Sequence, residues 1–173
     1  AIVVMTLDHA LGIDVQANIA AFCQFKGLAH RCQQVVDNKG VRFINDSKAT
    51  NVASTQAALS GLVGDKNNII LIAGGDAKGA DLTELEANID LQVKHLVALG
   101  KDKTQFQQFV PENKLTLVES IQQAVAVACR QAEVGDIVLL SPACASIDMF
   151  DNYQQRGDLF EQAVLDLLQT EGR

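Results

Sequence analysis

Hydrophobic residues fall along this chain in short, nearly unbroken runs, separated by longer stretches in which they recur every three or four positions. Residues 68–73 (NIILIA), 95–99 (HLVAL), 114–118 (KLTLV) and 136–140 (DIVLL) are the short runs. Being mostly apolar rather than alternating, each predicts a strand covered on both faces. Residues 52–62, 82–90, 102–109 and 119–132 suit helices, and a last amphipathic helix is expected over about 155–169. Residues 9–25 read as a further helix, through Ala10, Ile13, Ala17, Ile19, Ala20 and Phe22, stopped at Gly27. QVVDNKGVRFIND differs: two β-branched runs flank Asp37-Asn38-Lys39-Gly40, where Asn and Gly supply the turn of a hairpin.

Apolar strands alternating with helices predict an α/β, doubly wound domain. Its sheet is mostly parallel, with a small antiparallel addition near the start. In such sheets ligands bind beyond the carboxyl ends of the strands. Three polar motifs fall there: Asn45-Asp46-Ser47-Lys48-Ala49-Thr50-Asn51, Gly74-Gly75-Asp76-Ala77-Lys78, and Ser141-Pro142-Ala143-Cys144-Ala145-Ser146.

NDSKATN is rich in residues that cap helices, but a cap needs one of them and gains nothing from a lysine beside it. Lys48 near a helix start opposes the dipole unless an anion offsets it, which points to a ligand. GGDAKGAD has the backbone freedom of a phosphate or carboxylate loop with Lys78 as the point charge, and equally suits a solvated turn. It is not a Walker loop, and no GxGxxG follows a strand. SPACAS offers serine and cysteine, yet His9, His30 and His95 are placed by no motif to activate them, so a nucleophile is not expected.

Composition narrows the field. Of 173 residues 48% are apolar, which suits one soluble domain. Lys and Arg number 14 against 21 Asp and Glu, a formal net charge of -7 with no basic cluster, which argues against nucleic acid. No apolar run is long enough to span a membrane, and the start, AIVVMTLDHALGIDV, lacks the basic region of a signal peptide. Cys23, Cys32, Cys129 and Cys144 form no CxxC pair and no zinc spacing, so reduced thiols and a cytoplasmic setting are expected.

Taken together, GLAHR (27–31), NDSKATN (45–51), GGDAKGAD (74–81) and LLSPACASIDMFDNYQQRG (139–157) resemble the Mur ligase family. Within it they are similar to the branch that adds D-glutamate. The resemblance covers nearly everything from about residue 25 onward. NDSKATN is its specific part, whereas SPACAS with a following QRG is shared more widely in the family and GGDAK alone is weak.

The resemblance implies that residues 1–27 are the tail of a central ATPase domain. Residues 28–173 would be a Rossmann-like C-terminal domain that binds the amino acid. The implied reaction joins D-glutamate to UDP-N-acetylmuramoyl-L-alanine at the expense of ATP, through an acyl phosphate, in peptidoglycan synthesis. Lys78, Thr50 and Ser146 would hold the two D-glutamate carboxylates, with the backbone around Ile147 and Tyr153 closing the pocket. Arg31 would reach the nucleotide phosphates and Asp46 the ribose, with Lys48 and Asp76 as further site residues. The magnesium ion and the catalytic groups would belong mainly to the central domain, so the chain alone should turn over no ATP. Gly27 is a candidate hinge between domains. A sister ligase with another acceptor and a non-catalytic metabolite-binding module are the alternatives; no nucleic-acid or membrane partner is expected.

Overall fold

The structure, a computed structural model, describes residues 2–24, 27–62 and 67–171. Two helices come first, α1 (Ile2–Ala10) and α2 (Val15–Gln24). The expected single helix over 9–25 is therefore broken. Gly12 takes a left-handed φ of 71°, and the N–H groups of Leu11, Gly12 and Ile13 turn back onto the carbonyls of Leu7, His9 and Asp8. Asp14 Oδ1 then accepts from Gln16 N–H at 3.0 Å and starts the second helix. Apolar spacing runs across both helices, but a glycine followed by a capping carboxylate outweighs it. Residues 25 and 26, where that helix was expected to end, lie outside the described residues.

The hairpin forms from β1 (Gln33–Asn38) and β2 (Val41–Asn45), turning on Lys39 and Gly40, both at positive φ. The α/β alternation follows: α3 (Val52–Gly61), β3 (Ile69–Gly74), α4 (Glu86–Gln92), β4 (Val93–Leu99), β5 (Leu115–Leu117), α5 (Ile121–Gln131), β6 (Ile137–Leu140) and α6 (Tyr153–Glu171). The helix expected at 102–109 is a 3-10 helix over Lys103–Gln108, and a second, Leu82–Leu85, leads into α4. Among the described residues the sheet has six strands in the order β1-β2-β6-β3-β4-β5. Only the β1–β2 pair is antiparallel, so β2 belongs to the parallel sheet and β1 is the addition at its edge.

Strand residues divide between two cores by the two-residue period of the pleat. Ile69, Leu71 and Ala73 of β3 pack with Leu59 of α3 and Ile89 of α4, whereas Ile70 and Ile72 face Ala124 and Val125 of α5 and Phe160 of α6. Both faces are covered, which is why β3 is buried along its whole length. Neighbours β3 and β6 lead to helices on opposite faces, so the crevice of a doubly wound sheet opens at their carboxyl ends.

Helix α6 sits close to β2 through a glycine. A Cβ on Gly157 would run into His30 Nδ1 and Asn45 Nδ2. Asn45 is fully buried, and its Nδ2 donates to the Gly157 carbonyl at 3.2 Å and to Glu161 Oε1 at 2.7 Å. Helix propensity alone favours alanine over glycine by ~1 kcal/mol. Gly157→Ala is nevertheless expected to destabilise the fold by ~1–3 kcal/mol through overpacking. Urea unfolding followed by circular dichroism checks this: the midpoint should fall with the slope unchanged, and an equal or higher midpoint would refute the packing argument.

Candidate functional site

The loops after β2, β3 and β6 meet at the crevice, and Arg156 ties two of them to α6. It is 1% exposed. Its Nε donates to Ser47 Oγ at 3.0 Å, Nη2 to the Ser47 carbonyl at 2.8 Å and Nη1 to the Cys144 carbonyl at 3.1 Å. Burial lowers its pKa to about 10, which leaves it cationic at neutral pH. Ser47 in turn donates its hydroxyl to the Tyr153 carbonyl at 2.7 Å.

NDSKATN divides its labour. Asn51 caps α3, its Oδ1 accepting from Ser54 N–H at 2.9 Å. Asn45, Asp46 and Ser47 are buried and hold the loop. Asp46 accepts from Cys32 N–H at 3.1 Å through Oδ1 and from the Ser141 hydroxyl at 2.9 Å through Oδ2. Burial raises its pKa above the ordinary carboxylate value, while the Ser141 and Cys32 hydrogen bonds and the Arg31 charge pull it back. Lys48 and Thr50 remain half-exposed. Lys48 Nζ stands 4.1 Å above the centre of the Tyr153 ring, a cation–π contact that fixes the charge without neutralising it.

A pocket of about 340 Å³ opens between the hairpin and α3, lined by Arg31, Cys32, Asp46, Lys48 and Ser54 among others. Arg31 is exposed there. It is flanked by His30 and Cys32, both in left-handed conformation at φ 61° and 44°. Gln33 Oε1 accepts from His30 N–H at 2.9 Å, and Lys48 N–H donates to the His30 carbonyl at 3.0 Å, so the turn is held from both ends.

GGDAK uses its glycines for close approach. Gly74 and Gly75 lie at φ 115° and 134°, and a Cβ on either would collide with the carbonyl oxygen of Leu99 or Ala145. Asp76 and Ala145 exchange backbone hydrogen bonds at 3.0 and 2.9 Å. The loops carrying Lys78 and Ser146 are thereby joined. Lys78 is exposed at φ 52°, its N–H donating to Asp76 Oδ1 at 2.9 Å. That hydrogen bond, first among the causes, lowers the Asp76 pKa. Ser146 is buried, while Ile147 beside it is 63% exposed.

The family model described as "Mur ligase, glutamate ligase domain" matches residues 30–144. The chain belongs to this family. Among curated relatives of this Mur ligase domain, the UDP-N-acetylmuramoylalanine–D-glutamate ligase of Pseudoalteromonas translucida is 48% identical over 165 residues, 95% of this chain and 36% of the relative. The Shewanella oneidensis enzyme of the same name is 49% identical over 162 residues, 92% of this chain and 36% of the relative. The chain thus spans about a third of the length of the relatives it matches. MurF ligase from Thermotoga maritima in complex with ADP has the same fold, with a TM-score of 0.64 at 14% identity over 94% of this chain and 37% of that one. Mycobacterium tuberculosis folylpolyglutamate synthase, complexed with ADP and AMPPCP, gives 0.62 at 14% identity over 88% of this chain and 37% of that one.

In the Mur ligase domain, Arg31, Asp46 and Lys48 share one pocket, and Asp76, Lys78 and Ser146 share the joined β3 and β6 loops. Tyr153 lies beside the first group, under Lys48 and edge-on to His30 at 6.0 Å. Reasoning from sequence passed over Arg156, although it stands in the quoted QRG. Among the described residues no group of three or more His, Cys, Asp and Glu side chains is arranged to hold a metal ion, and no helix is long and apolar enough to cross a membrane. Cys144 is buried, and burial pushes its thiol up to about 12. At pH 8 roughly one part in ten thousand is then thiolate, too little for a nucleophile. A disulfide reagent at pH 8 is expected to spare Cys144 in the native protein and reach it in urea. Mass spectrometry of the labelled peptides checks this, and native labelling of Cys144 at the rate of exposed Cys23 would refute it.

Proposed function

We propose that this chain is the C-terminal, amino-acid-binding part of a ligase that joins D-glutamate to UDP-N-acetylmuramoyl-L-alanine in peptidoglycan synthesis. The reading is carried by one observation: nearly half of the chain is identical to ligases of that name over almost its whole length. Residues 1–27 then belong with a central ATPase domain and residues 28–173 form the amino-acid domain, with Gly27, at φ 84°, as the hinge. The cell compartment proposed is the cytoplasm, in keeping with the free thiols of Cys23, Cys32 and Cys144.

The residues suit the chemistry. D-Glutamate brings two carboxylates, which Lys78, Thr50 and Ser146 would meet with a charge and two hydroxyls. Ile147 and Tyr153 would close over them. Arg31 offers a planar fork for the phosphates of ATP, and Asp46 the acceptor for a ribose hydroxyl through lone pairs left over from Cys32 and Ser141. Lys48, held over Tyr153, would face the same anion, and Asp76 orients the Lys78 loop. ATP supplies the phosphoryl group that turns the substrate carboxylate into an acyl phosphate, and the amine of D-glutamate then attacks the acyl carbon, forming the C–N bond as the C–O bond breaks and inorganic phosphate leaves. This chain contributes binding and orientation, which such a reaction needs more than a protein nucleophile. Magnesium is proposed to rest mainly on the central domain.

Phosphate release by the full-length enzyme tests the reading, with UDP-N-acetylmuramoyl-L-alanine, ATP and one amino acid at a time. Release is expected with D-glutamate and not with L-glutamate, L-alanine or meso-diaminopimelate. Lys78→Ala should raise the KM for D-glutamate by roughly 10- to 150-fold, the loss of a charge-assisted hydrogen bond. Release with another amino acid would reassign the acceptor, and none with any would favour a binding module. The isolated chain should release no phosphate.

A further inference from the structure

The turn after β4, Gly100-Lys101-Asp102, carries none of the residues assigned above to a ligand, yet it is bonded to both loops that do. Ala77 N–H, next to Lys78, donates to Asp102 Oδ2 at 2.8 Å, and Asp102 N–H donates to the Gly75 carbonyl at 3.0 Å. On the other side Lys101 N–H donates to Asp148 Oδ2 at 2.7 Å, two residues beyond Ser146. Gly100 makes the approach possible. It lies at φ 86°, and a Cβ there would press on Gly75 Cα and Asp148 Oδ2. With the Asp76–Ala145 pair, the three loops close a ring of hydrogen bonds.

We infer that Asp102 and Asp148 are positioning residues of the amino-acid site, and that the Gly100–Asp102 turn is a brace fixing the separation of Lys78 from Ser146. The inference rests on the proposed roles of those two residues. A ligand with two carboxylates is recognised by the spacing of its donors, and Lys78 sits exposed, two residues beyond the Asp76–Ala145 pair that joins its loop to that of Ser146. The brace holds that junction from outside, through Ala77 on one side and Asp148 on the other. Each aspartate acts through one oxygen on one backbone N–H, so its part is geometric. Asp148 Oδ1 is buried and meets no donor among the described residues. An asparagine at either position supplies the same acceptor without the charge, whereas alanine removes it.

Steady-state phosphate release by the full-length ligase tests this with Asp102→Ala, Asp102→Asn, Asp148→Ala and Asp148→Asn. Each alanine variant is expected to raise the KM for D-glutamate about tenfold, as for one charge-assisted hydrogen bond, while the KM for ATP and kcat move less than about threefold. The asparagine variants should return to within about threefold of wild type. Alanine variants with unchanged KM for D-glutamate, or an equal rise in both KM values, would overturn the brace, as would asparagine variants as impaired as alanine. Should Asp148→Ala fail to fold by circular dichroism, Asp102→Ala decides, because it leaves the Asp148 anchor intact. Wild-type enzyme inert with D-glutamate would overturn the functional reading itself; active wild type with unaffected alanine variants would overturn the brace alone.

Discussion

A single buried guanidinium organises the candidate ligand edge of this domain. Taking Arg156 out of water costs several kcal/mol, and the cost is offset only if its donors find acceptors. Those it has are the Ser47 hydroxyl and the carbonyls of Ser47 and Cys144, from the loops after β2 and β6. Both loops leave adjacent parallel strands, whose ladder ends at Asn45 and Leu140. Beyond that point the sheet no longer supplies partners, and buried carbonyls there need donors from elsewhere. Arg156 supplies three from one rigid fork. A lysine has one nitrogen and could not reproduce the geometry.

Backbone contact does for the other half of the edge what Arg156 does for this one. Gly74, Gly75 and Gly100 bring the turns after β3 and β4 against each other and against Ala145, at distances where a side chain has no room. A glycine-rich loop reads from sequence as a mobile one. Here the left-handed angles permit contact, and contact removes mobility: Gly74 N–H is bonded to the Pro142 carbonyl and the Gly75 carbonyl to Asp102 N–H.

Much of the fold was legible because it follows from period and punctuation. Four apolar runs and the turn at Asn38-Lys39-Gly40 locate the strands, since a strand covered on both faces, as β3 is, has no polar position to hide it. The break at Gly12 was missed because apolar spacing continues through it, and spacing says nothing about φ. The site was legible as a set of loops but not in its division of labour. NDSKATN looks equally polar throughout, while burial separates Asn45, Asp46 and Ser47 from Lys48 and Thr50. Arg156 was hidden for a related reason. An arginine on an amphipathic helix is expected in solvent, and partners outside that helix, Ser47 far back in the sequence and Cys144 in the preceding loop, put it inside.

That division has a physical logic. A polar group can hold a loop or greet a ligand, and one whose hydrogen bonds are already made has little left to offer. Asp46 has both oxygens engaged, so it contributes shape and a residual lone pair more than a free charge. Lys48 is steered by the Tyr153 ring, which attracts a cation and leaves its three N–H donors available. Lys78 is placed by its own backbone N–H on Asp76, again without spending the side chain. Buried polar groups and backbone contacts therefore do the holding, and Lys48 and Lys78 are placed without spending their ammonium donors. The function proposed, uptake of an amino acid with two carboxylates, would be served by that arrangement, because the donors are fixed in place before the anion arrives.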